Sequence, residues 1–259
     1  MSTVGFVGLG SMGAPIAGRL LPGNTVYGTN RTRAKADELI KQGLIWRDTP
    51  REVAAAAQVV FSMVTDDTAL AAITDGPDGI LGGLRPGSVP AAQTGTLSIM
   101  VGGPDADFHT VEPLLNHLGS SITHAGANGQ GLLLKLAINI SLATQMLAFS
   151  EGVLLAERGG IDPQLAIQAM ITSPIGSPML RTRAPLVLDL PEQAWFDVQL
   201  MHKDIRLALQ AAHQSGVLLP AASAADTALS RAEEIGYGHR DIAGLYQVLD
   251  RTPAPADAA

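Results

Sequence analysis

The feature that most constrains this chain is a strand that leads straight into a glycine turn and a helix. Thr3 to Val7 has the composition of a short buried strand, and residues 14–21 that of a helix. Between them lies G-x-G-x-x-G, a pattern that is informative when a strand precedes it and a helix follows it, as here. The first glycine permits the turn, the second lets a pyrophosphate approach the backbone, and the third lets the helix pack on the strand. We therefore expect a Rossmann-type dinucleotide-binding domain, with cofactor contacts from Gly8, Leu9, Gly10, Ser11, Met12 and Gly13.

The residues after the second predicted strand, Asn24 to Thr29, indicate which dinucleotide binds. The chain continues Asn30-Arg31-Thr32, and no carboxylate appears before Asp37. Proteins that bind NAD usually place an acidic residue here for the ribose 2′-hydroxyl, whereas a guanidinium suits the 2′-phosphate of NADP. The sequence therefore favours NADP(H) over NAD(H), with Asn30, Arg31 and Thr32 at the phosphate. The alternative is that Arg31 is a solvated turn residue.

Helices and strands continue to alternate through residues 34–64, and the last strand, which begins at Val59, is a continuous apolar run typical of a parallel sheet. Ligands of open α/β sheets bind at the carboxyl ends of the strands. We therefore expect Met63, Val64 and Thr65 to lie beside the cofactor.

A long helix is predicted between Gly129 and Gly160, because residues 130–158 contain no proline and one internal glycine. It is apolar on nearly every side, which predicts a helix that is buried all round. Lys135 and Asn139 lie on one face at i, i+4 spacing. An ammonium in such a helix is unfavourable unless it faces a cleft or a partner. The alternative is that Lys135 extends to solvent.

Composition excludes several classes of function. The 259 residues contain no cysteine, which removes disulfides and thiolate chemistry, and the six histidines show no metal-binding spacing; His202 is expected on a helix surface. A net charge of −7 without a basic tract argues against nucleic acid as a partner. The longest apolar stretch contains polar residues and predicts no membrane span, and no basic segment precedes the first strand, so a cytoplasmic location is expected.

The predicted architecture is α/β, with a shortened, doubly wound Rossmann-type sheet, a long interdomain helix and an all-α C-terminal domain. Beyond Gly160 the pattern is helical, with a turn marked by Pro174 and Pro178. The predicted boundaries are residues 1–128 for the dinucleotide-binding domain, 129–159 for the interdomain helix, 160–251 for the helical domain and 252–259 for a disordered tail.

Three segments together resemble the β-hydroxyacid dehydrogenase family, which includes 3-hydroxyisobutyrate dehydrogenase and the glyoxylate/succinic semialdehyde reductases. They are residues 5–13, the later run Gly95-Thr96-Leu97-Ser98-Ile99-Met100-Val101-Gly102-Gly103, and Gly129-Gln130-Gly131-x-x-x-Lys135. The resemblance implies NAD(P)-dependent interconversion of a short 3-hydroxyacid and its semialdehyde. It also implies a homodimer or a higher homo-oligomer.

By the same resemblance, Lys135 is the general acid and Asn139 helps to hold the substrate. The family usually carries two adjacent asparagines here, and the first is replaced by Ile138. Lys203 is expected to close over the nicotinamide, the alternative being a surface pair with Asp204 or a neighbour. Substrate contacts are expected from Gly87, Ser88 and Gly131.

One departure from the family pattern bears on mechanism. Val89 runs directly into Pro90, where the family has a further βαβ unit on the order of 30 residues long. That unit carries contacts to the nicotinamide and the substrate carboxylate. Two other readings therefore stay open: a catalytically silent dinucleotide-binding protein, and an imine reductase, against which Lys135 argues.

Overall fold

The computed structural model describes residues 2–64 and 94–251. The chain forms two compact units, residues 1–132 and 133–259. The described strands and α-helices are β1 (Thr3–Val7), α1 (Gly13–Leu20), β2 (Thr25–Thr29), α2 (Asp37–Lys41), β3 (Ile45–Trp46), α3 (Pro50–Ala56), β4 (Val59–Ser62), β5 (Leu97–Gly102), α4 (Asp105–Leu115), β6 (Gly119–Gly126), α5 (Gln130–Arg158), α6 (Pro163–Thr172), α7 (Pro178–Leu188), α8 (Val198–Ser215), α9 (Pro220–Glu234) and α10 (Leu245–Asp250).

The first unit is built on a four-stranded parallel sheet in the order β3-β2-β1-β4. Val4 of β1 lies opposite Val26 of β2 on one side and Val59 of β4 on the other. The chain therefore moves outward from β1 to β3 and then returns to the other side of β1. This reversal puts a topological switch point at the carboxyl ends of β1 and β4, where open α/β sheets bind ligands.

A second parallel sheet pairs β5 with β6, and Ile99 lies opposite Ile122. Within the described ranges, β4 pairs with β1 and β5 pairs with β6, without a hydrogen-bonded ladder between the two sheets. Both sheets contribute to one hydrophobic core, which contains Phe6, Ile16 and Leu97. The predicted α/β fold class, with a parallel N-terminal sheet and a helical second half, is confirmed.

The turn predicted at Pro174 and Pro178 is observed between α6, which ends at Thr172, and α7, which begins at Pro178. The Ser177 side chain accepts a hydrogen bond from the Leu180 backbone N–H at 3.2 Å and so caps the helix. Proline is tolerated in the first turn, where its missing N–H has no helical partner to lose. The helix continues through Pro185 to Leu188.

The second unit packs its helices around one side of α5. Met146, Phe149 and Val153 of α5 are buried in a core that also contains Met201 of α8 and Leu229 of α9. The other side of α5 is open, since Leu155 is 76% exposed and Ile138 46%. The prediction that α5 is buried all round is therefore wrong.

By length and composition α5 is also the one helix in the described part of the chain that could cross a bilayer. Core helices of soluble proteins meet the same criteria, and the buried side of α5 makes core contacts of that kind.

Candidate active site

The glycine turn lies at the topological switch point. At two of its positions the surrounding backbone leaves no room for a side chain. Gly8 has a φ of 96°, and its N–H donates to the Thr29 carbonyl at 3.0 Å. A Cβ on Gly8 would lie 2.0 Å from the Met63 carbonyl oxygen, and one on Gly13 would lie 1.9 Å from the Gly8 oxygen. A Cβ on Gly10, in contrast, would meet nothing within 4 Å. The turn is therefore closed against the sheet and open above Gly10, as pyrophosphate binding requires.

The other predicted residues of this turn differ in what they can offer a cofactor. The Leu9 side chain is buried in the core, so its backbone is the part that can reach a ligand. Ser11 is exposed, and Met12 is half-buried against the core. Met63 donates its N–H to the Val7 carbonyl at 2.8 Å, which fixes the end of β4 beside the turn.

Asn30 ties the end of β2 to the glycine turn. Its Oδ1 accepts from the Leu9 N–H at 3.0 Å, and its Nδ2 donates to the Thr32 carbonyl at 2.9 Å. The side-chain amide is thus used within the protein, a role that sequence reasoning missed. Arg31 and Thr32 are exposed, and Arg31 has no hydrogen-bond or ion-pair partner among the residues that the structure describes.

Val64 is half-buried at the end of β4. Three predicted contacts, Thr65, Gly87 and Ser88, lie outside the described residues. Gly131 lies in the first turn of α5, where an added Cβ would lie 2.7 Å from the Gly102 nitrogen. This close approach of the helix to the end of β5 explains the glycine by packing.

The second unit brings Lys135 and Asn139 of α5 to one carboxylate of α8. Lys135 Nζ lies 2.5 Å from Asp204 Oδ2, and Asn139 Nδ2 donates to the same oxygen at 2.8 Å. The Lys135 side chain is 20% exposed and that of Asp204 is 2% exposed. The alternative that Lys135 extends to solvent without a partner is therefore wrong. The lysine is held in a mostly buried ion pair.

Lys203 approaches the same carboxylate from the neighbouring position on α8. Its Nζ lies 3.8 Å from Asp204 Oδ1, an oxygen that accepts no hydrogen bond from the described part of the protein. The alternative for Lys203 was a surface pair with Asp204 or a neighbour. The two side chains do lie close together, but the Asp204 carboxylate is buried and not at the surface. Asp204 thus lies between two ammonium groups, of which Lys135 is the closer.

Sequence reasoning missed the role of Asp204 and treated it as a partner for Lys203. A signal was present, because Asp204 lies within the stripe of Met201, Ile205 and Ala208 that α8 buries. An acidic residue on such a stripe requires a partner. His202 was also misplaced: it is buried, and its ring nitrogens lie 3.1 Å from Asp226 and 3.1 Å from Glu233 on α9.

Two family sequence models match the chain and together span nearly all of it. Residues 129–249 match the model described as NAD-binding of NADP-dependent 3-hydroxyisobutyrate dehydrogenase. Residues 3–91 and 87–126 match the model described as the NAD binding domain of 6-phosphogluconate dehydrogenase. The chain belongs to the β-hydroxyacid dehydrogenase family. The predicted resemblance is confirmed.

Relatives in the β-hydroxyacid dehydrogenase family align over most of the chain. The 2-hydroxy-3-oxopropionate reductase of Escherichia coli is 29% identical over 95% of this chain and 97% of its own. The chloroplastic glyoxylate/succinic semialdehyde reductase 2 of Arabidopsis thaliana is 26% identical over 95% of this chain and 79% of its own. The 3-hydroxyisobutyrate dehydrogenase structure from Mycobacterium tuberculosis has the same fold, with a TM-score of 0.81 and 23% identity over 97% of this chain and 100% of that one.

As a β-hydroxyacid dehydrogenase family member, the protein is an oxidoreductase that binds a nicotinamide dinucleotide. The observed glycine turn fits this cofactor, since the opening above Gly10 can take a pyrophosphate.

Proposed function

We propose that this protein is an NADPH-dependent reductase that interconverts a short aldehyde acid and its 3-hydroxyacid, with Lys135 as general acid. The observation that carries the proposal is the 2.5 Å contact between Lys135 Nζ and the buried Asp204 carboxylate. A buried carboxylate at this distance holds the ammonium in place and fixes its direction. A lysine held in this way is suited to giving a proton to a developing alkoxide.

The chain's own residues divide the chemistry between them. As the carbonyl carbon is reduced, Lys135 Nζ donates a proton to the carbonyl oxygen, the hydroxyl forms, and the amine left behind takes its next proton from water. Asp204 keeps the amine in position through both states. Asn139 supports the carboxylate with its hydrogen bond of 2.8 Å. In the oxidation direction Lys135, as the neutral amine, accepts the hydroxyl proton.

Residues at the switch point would hold the cofactor. Gly8, Gly10 and Gly13 would take the pyrophosphate, and Arg31 would pair with a 2′-phosphate because it is an exposed guanidinium after β2. When bound, a reduced nicotinamide supplies the hydride. Met63, Val64 and Thr65 would contact the cofactor because they follow β4 at its carboxyl end. Lys203 would contact it as the family resemblance implies.

Steady-state consumption of NADPH with glyoxylate and with succinic semialdehyde tests the proposal. Lys135→Ala should lower kcat by about 100-fold or more, a loss typical of removing a group that stabilises developing charge. Lys135→Arg keeps a cation beside Asp204 but is a poor proton donor, so it should also be impaired. Lys41→Ala, which alters an exposed lysine paired with Glu38, is the matched control. Equal rates in the wild type and Lys135→Ala would remove Lys135 from the mechanism.

A catalytically silent dinucleotide-binding protein is the second candidate. It is supported by the family match to the first unit, which comes in two pieces that overlap at residues 87–91. Such an overlap is expected if an intervening segment of the family pattern is missing from this chain. This candidate predicts NADPH binding by fluorescence or thermal shift without turnover of any semialdehyde. Turnover of cyclic imines would instead favour an imine reductase.

Self-association and a cytoplasmic location complete the proposal. Leu155, Leu165 and Ile175 of the second unit are large apolar residues that are mostly exposed, which supports a homodimer formed through helical faces. Light scattering coupled to gel filtration would detect it, and a monomer at micromolar concentration would contradict it.

A further inference from the structure

A cation–aromatic pair lies at the carboxyl end of the first sheet, beside the turn that follows β2. The Arg33 guanidinium lies over the indole ring of Trp46, with Cζ 5.4 Å from the ring centroid. Trp46 is the last residue of β3 and pairs with Gly28 near the end of β2. Its Nε1–H donates to Asp48 Oδ1 at 2.8 Å, which fixes the ring. Contact with an aromatic face contributes little energy at an exposed site, but it sets the direction of a long side chain.

The Arg33 guanidinium keeps its hydrogen-bond donors available. Arg33 is exposed, and its side chain makes no hydrogen bond or ion pair with the part of the chain that the structure describes. A guanidinium carries five N–H donors in a planar fork that matches the oxygens of a phosphate. Arg33 can therefore bind an anion from solution without giving up a hydrogen bond to any of the described residues.

Arg33 follows Arg31, the proposed partner of the 2′-phosphate, by two positions. The turn that carries both is closed on the Thr32 carbonyl, which accepts from Asn30 Nδ2 at 2.9 Å and from the Lys35 N–H at 3.2 Å. Two guanidinium groups therefore extend from one short turn with a fixed backbone. A phosphate monoester carries a charge of about −1.5 to −2 at neutral pH, so one arginine neutralises only part of it.

The pair also lies on the face of the sheet that the cofactor would use. Trp46 packs against the core that contains Ile16 of α1, the helix whose N-terminus would take the pyrophosphate. A second cation–aromatic pair, in which Arg47 Cζ lies 4.7 Å from the ring centroid of Tyr27, provides a contrast. Tyr27 packs against a separate cluster that includes Val53 of α3. The second pair is therefore on the opposite face, because neighbouring residues of a strand point to opposite sides.

We propose that Arg33 is a second guanidinium for the 2′-phosphate of NADP(H), and that Trp46 is a positioning residue that directs it. The inference rests on the proposed NADPH dependence and adds two residues to the cofactor site. A single exposed ion pair contributes little, so a second cation in a fixed direction explains how an exposed turn can select the phosphorylated cofactor.

Calorimetric titration with NADP⁺ and NAD⁺ tests the inference without turnover. The two cofactors differ only in the 2′-phosphate, so the ratio of their Kd values isolates its contribution. Arg33→Gln should lower the preference for NADP⁺ by about tenfold and leave the Kd for NAD⁺ unchanged. Trp46→Leu should lower the preference by about threefold, whereas Trp46→Phe, which keeps an aromatic ring, should match the wild type.

Arg47→Gln is the matched control, because it removes an arginine that also lies over an aromatic ring, but on the opposite face. Its preference for NADP⁺ should equal that of the wild type. An unchanged preference in Arg33→Gln would overturn the inference, as would equal losses in Arg33→Gln and Arg47→Gln, which would reflect net charge alone. A wild type that binds NADP⁺ no more tightly than NAD⁺ would instead refute the proposed NADPH dependence itself, so the two failures are distinguishable.

Discussion

Lys135 Nζ on α5 lies 2.5 Å from Asp204 Oδ2 on α8, across a gap of 69 positions in the chain. The carboxylate is nearly inaccessible to solvent, whereas the lysine keeps a fifth of its side chain exposed. The lysine side chain thus stays partly accessible to solvent while its carboxylate partner is enclosed. Removing one partner of a buried pair leaves the other as an uncompensated charge. A substitution of Asp204 therefore also tests the role of Lys135.

Asp204→Asn should lower kcat for aldehyde reduction by about 100-fold, because the neutral amide removes the ion pair that holds and directs Lys135 Nζ. NADPH affinity should change little, since Asp204 is not expected to contact the cofactor. Steady-state kinetics and fluorescence titration measure the two effects. Glu234→Gln, which alters an exposed pair with Arg231, serves as control. A variant with kcat close to the wild type would show that the pair is structural.

Arg31→Ala should weaken NADPH and leave NADH unaffected. A guanidinium that binds a phosphate contributes about 1.5–3 kcal/mol, so the KM for NADPH should rise by about 10- to 100-fold. The measurement is the ratio of kcat/KM for the two cofactors at fixed aldehyde concentration. Lys35→Ala, which removes another exposed cation near the end of β2, should change this ratio less. Equal losses with both cofactors would exclude a 2′-phosphate contact.

Asp241→Ala should destabilise the second unit by about 3–5 kcal/mol. Asp241 is fully buried, and its carboxylate accepts hydrogen bonds from Arg183 Nη1 at 2.6 Å and from the Trp195 and Phe196 N–H groups. Its loss therefore leaves a buried guanidinium and three backbone donors without a partner, the third being the Ala243 N–H. Urea unfolding followed by Trp195 fluorescence in a Trp46→Phe background reports on this unit.

The control for Asp241→Ala is Asp250→Ala, which removes the partner of Arg158 at an exposed position. Exposed pairs contribute about 0–1 kcal/mol, so this variant should unfold near the wild-type urea concentration. Similar unfolding midpoints for the two variants would contradict the assigned role of Asp241.

Tyr246→Phe should reduce the loss of stability in alkaline solution. Burial raises the pKa of Tyr246 from 10.0 to about 12, and the hydrogen bond to Glu157 together with the negative charge of that carboxylate adds to the effect. The unfolded chain thus releases this proton at lower pH than the folded protein does. The stabilisation is complete below pH 10 and is lost as the pH rises towards 12.

Unfolding midpoints in urea at about pH 9 and about pH 11 measure the pH dependence. The wild type should lose more stability over this interval than Tyr246→Phe. An identical slope for the two proteins would show that other groups govern the alkaline transition.

Sequence alone determined the parts of this protein that depend on neighbouring residues. The turn at Gly8 and Gly13 could be predicted because strand, turn and helix are contiguous, and the glycines are needed wherever the backbone approaches itself this closely. The α/β alternation and the long helix followed from hydrophobic patterns of the same local kind. Lys135 and Asn139 could be placed on one face because helical geometry fixes that relation.

Tertiary structure decided which groups those residues meet. Asp204, the buried partner of Lys135, lies on a helix far along the chain. The Asn30 side chain, which follows β2, accepts a hydrogen bond from the backbone N–H of Leu9, which follows β1. Which side of α5 is covered could not be read from its composition, because residues apolar all round carry no periodic signal to mark the core. Long-range packing alone selects the partner of a buried charge, since the pairing depends on distance in space and not on spacing in the sequence.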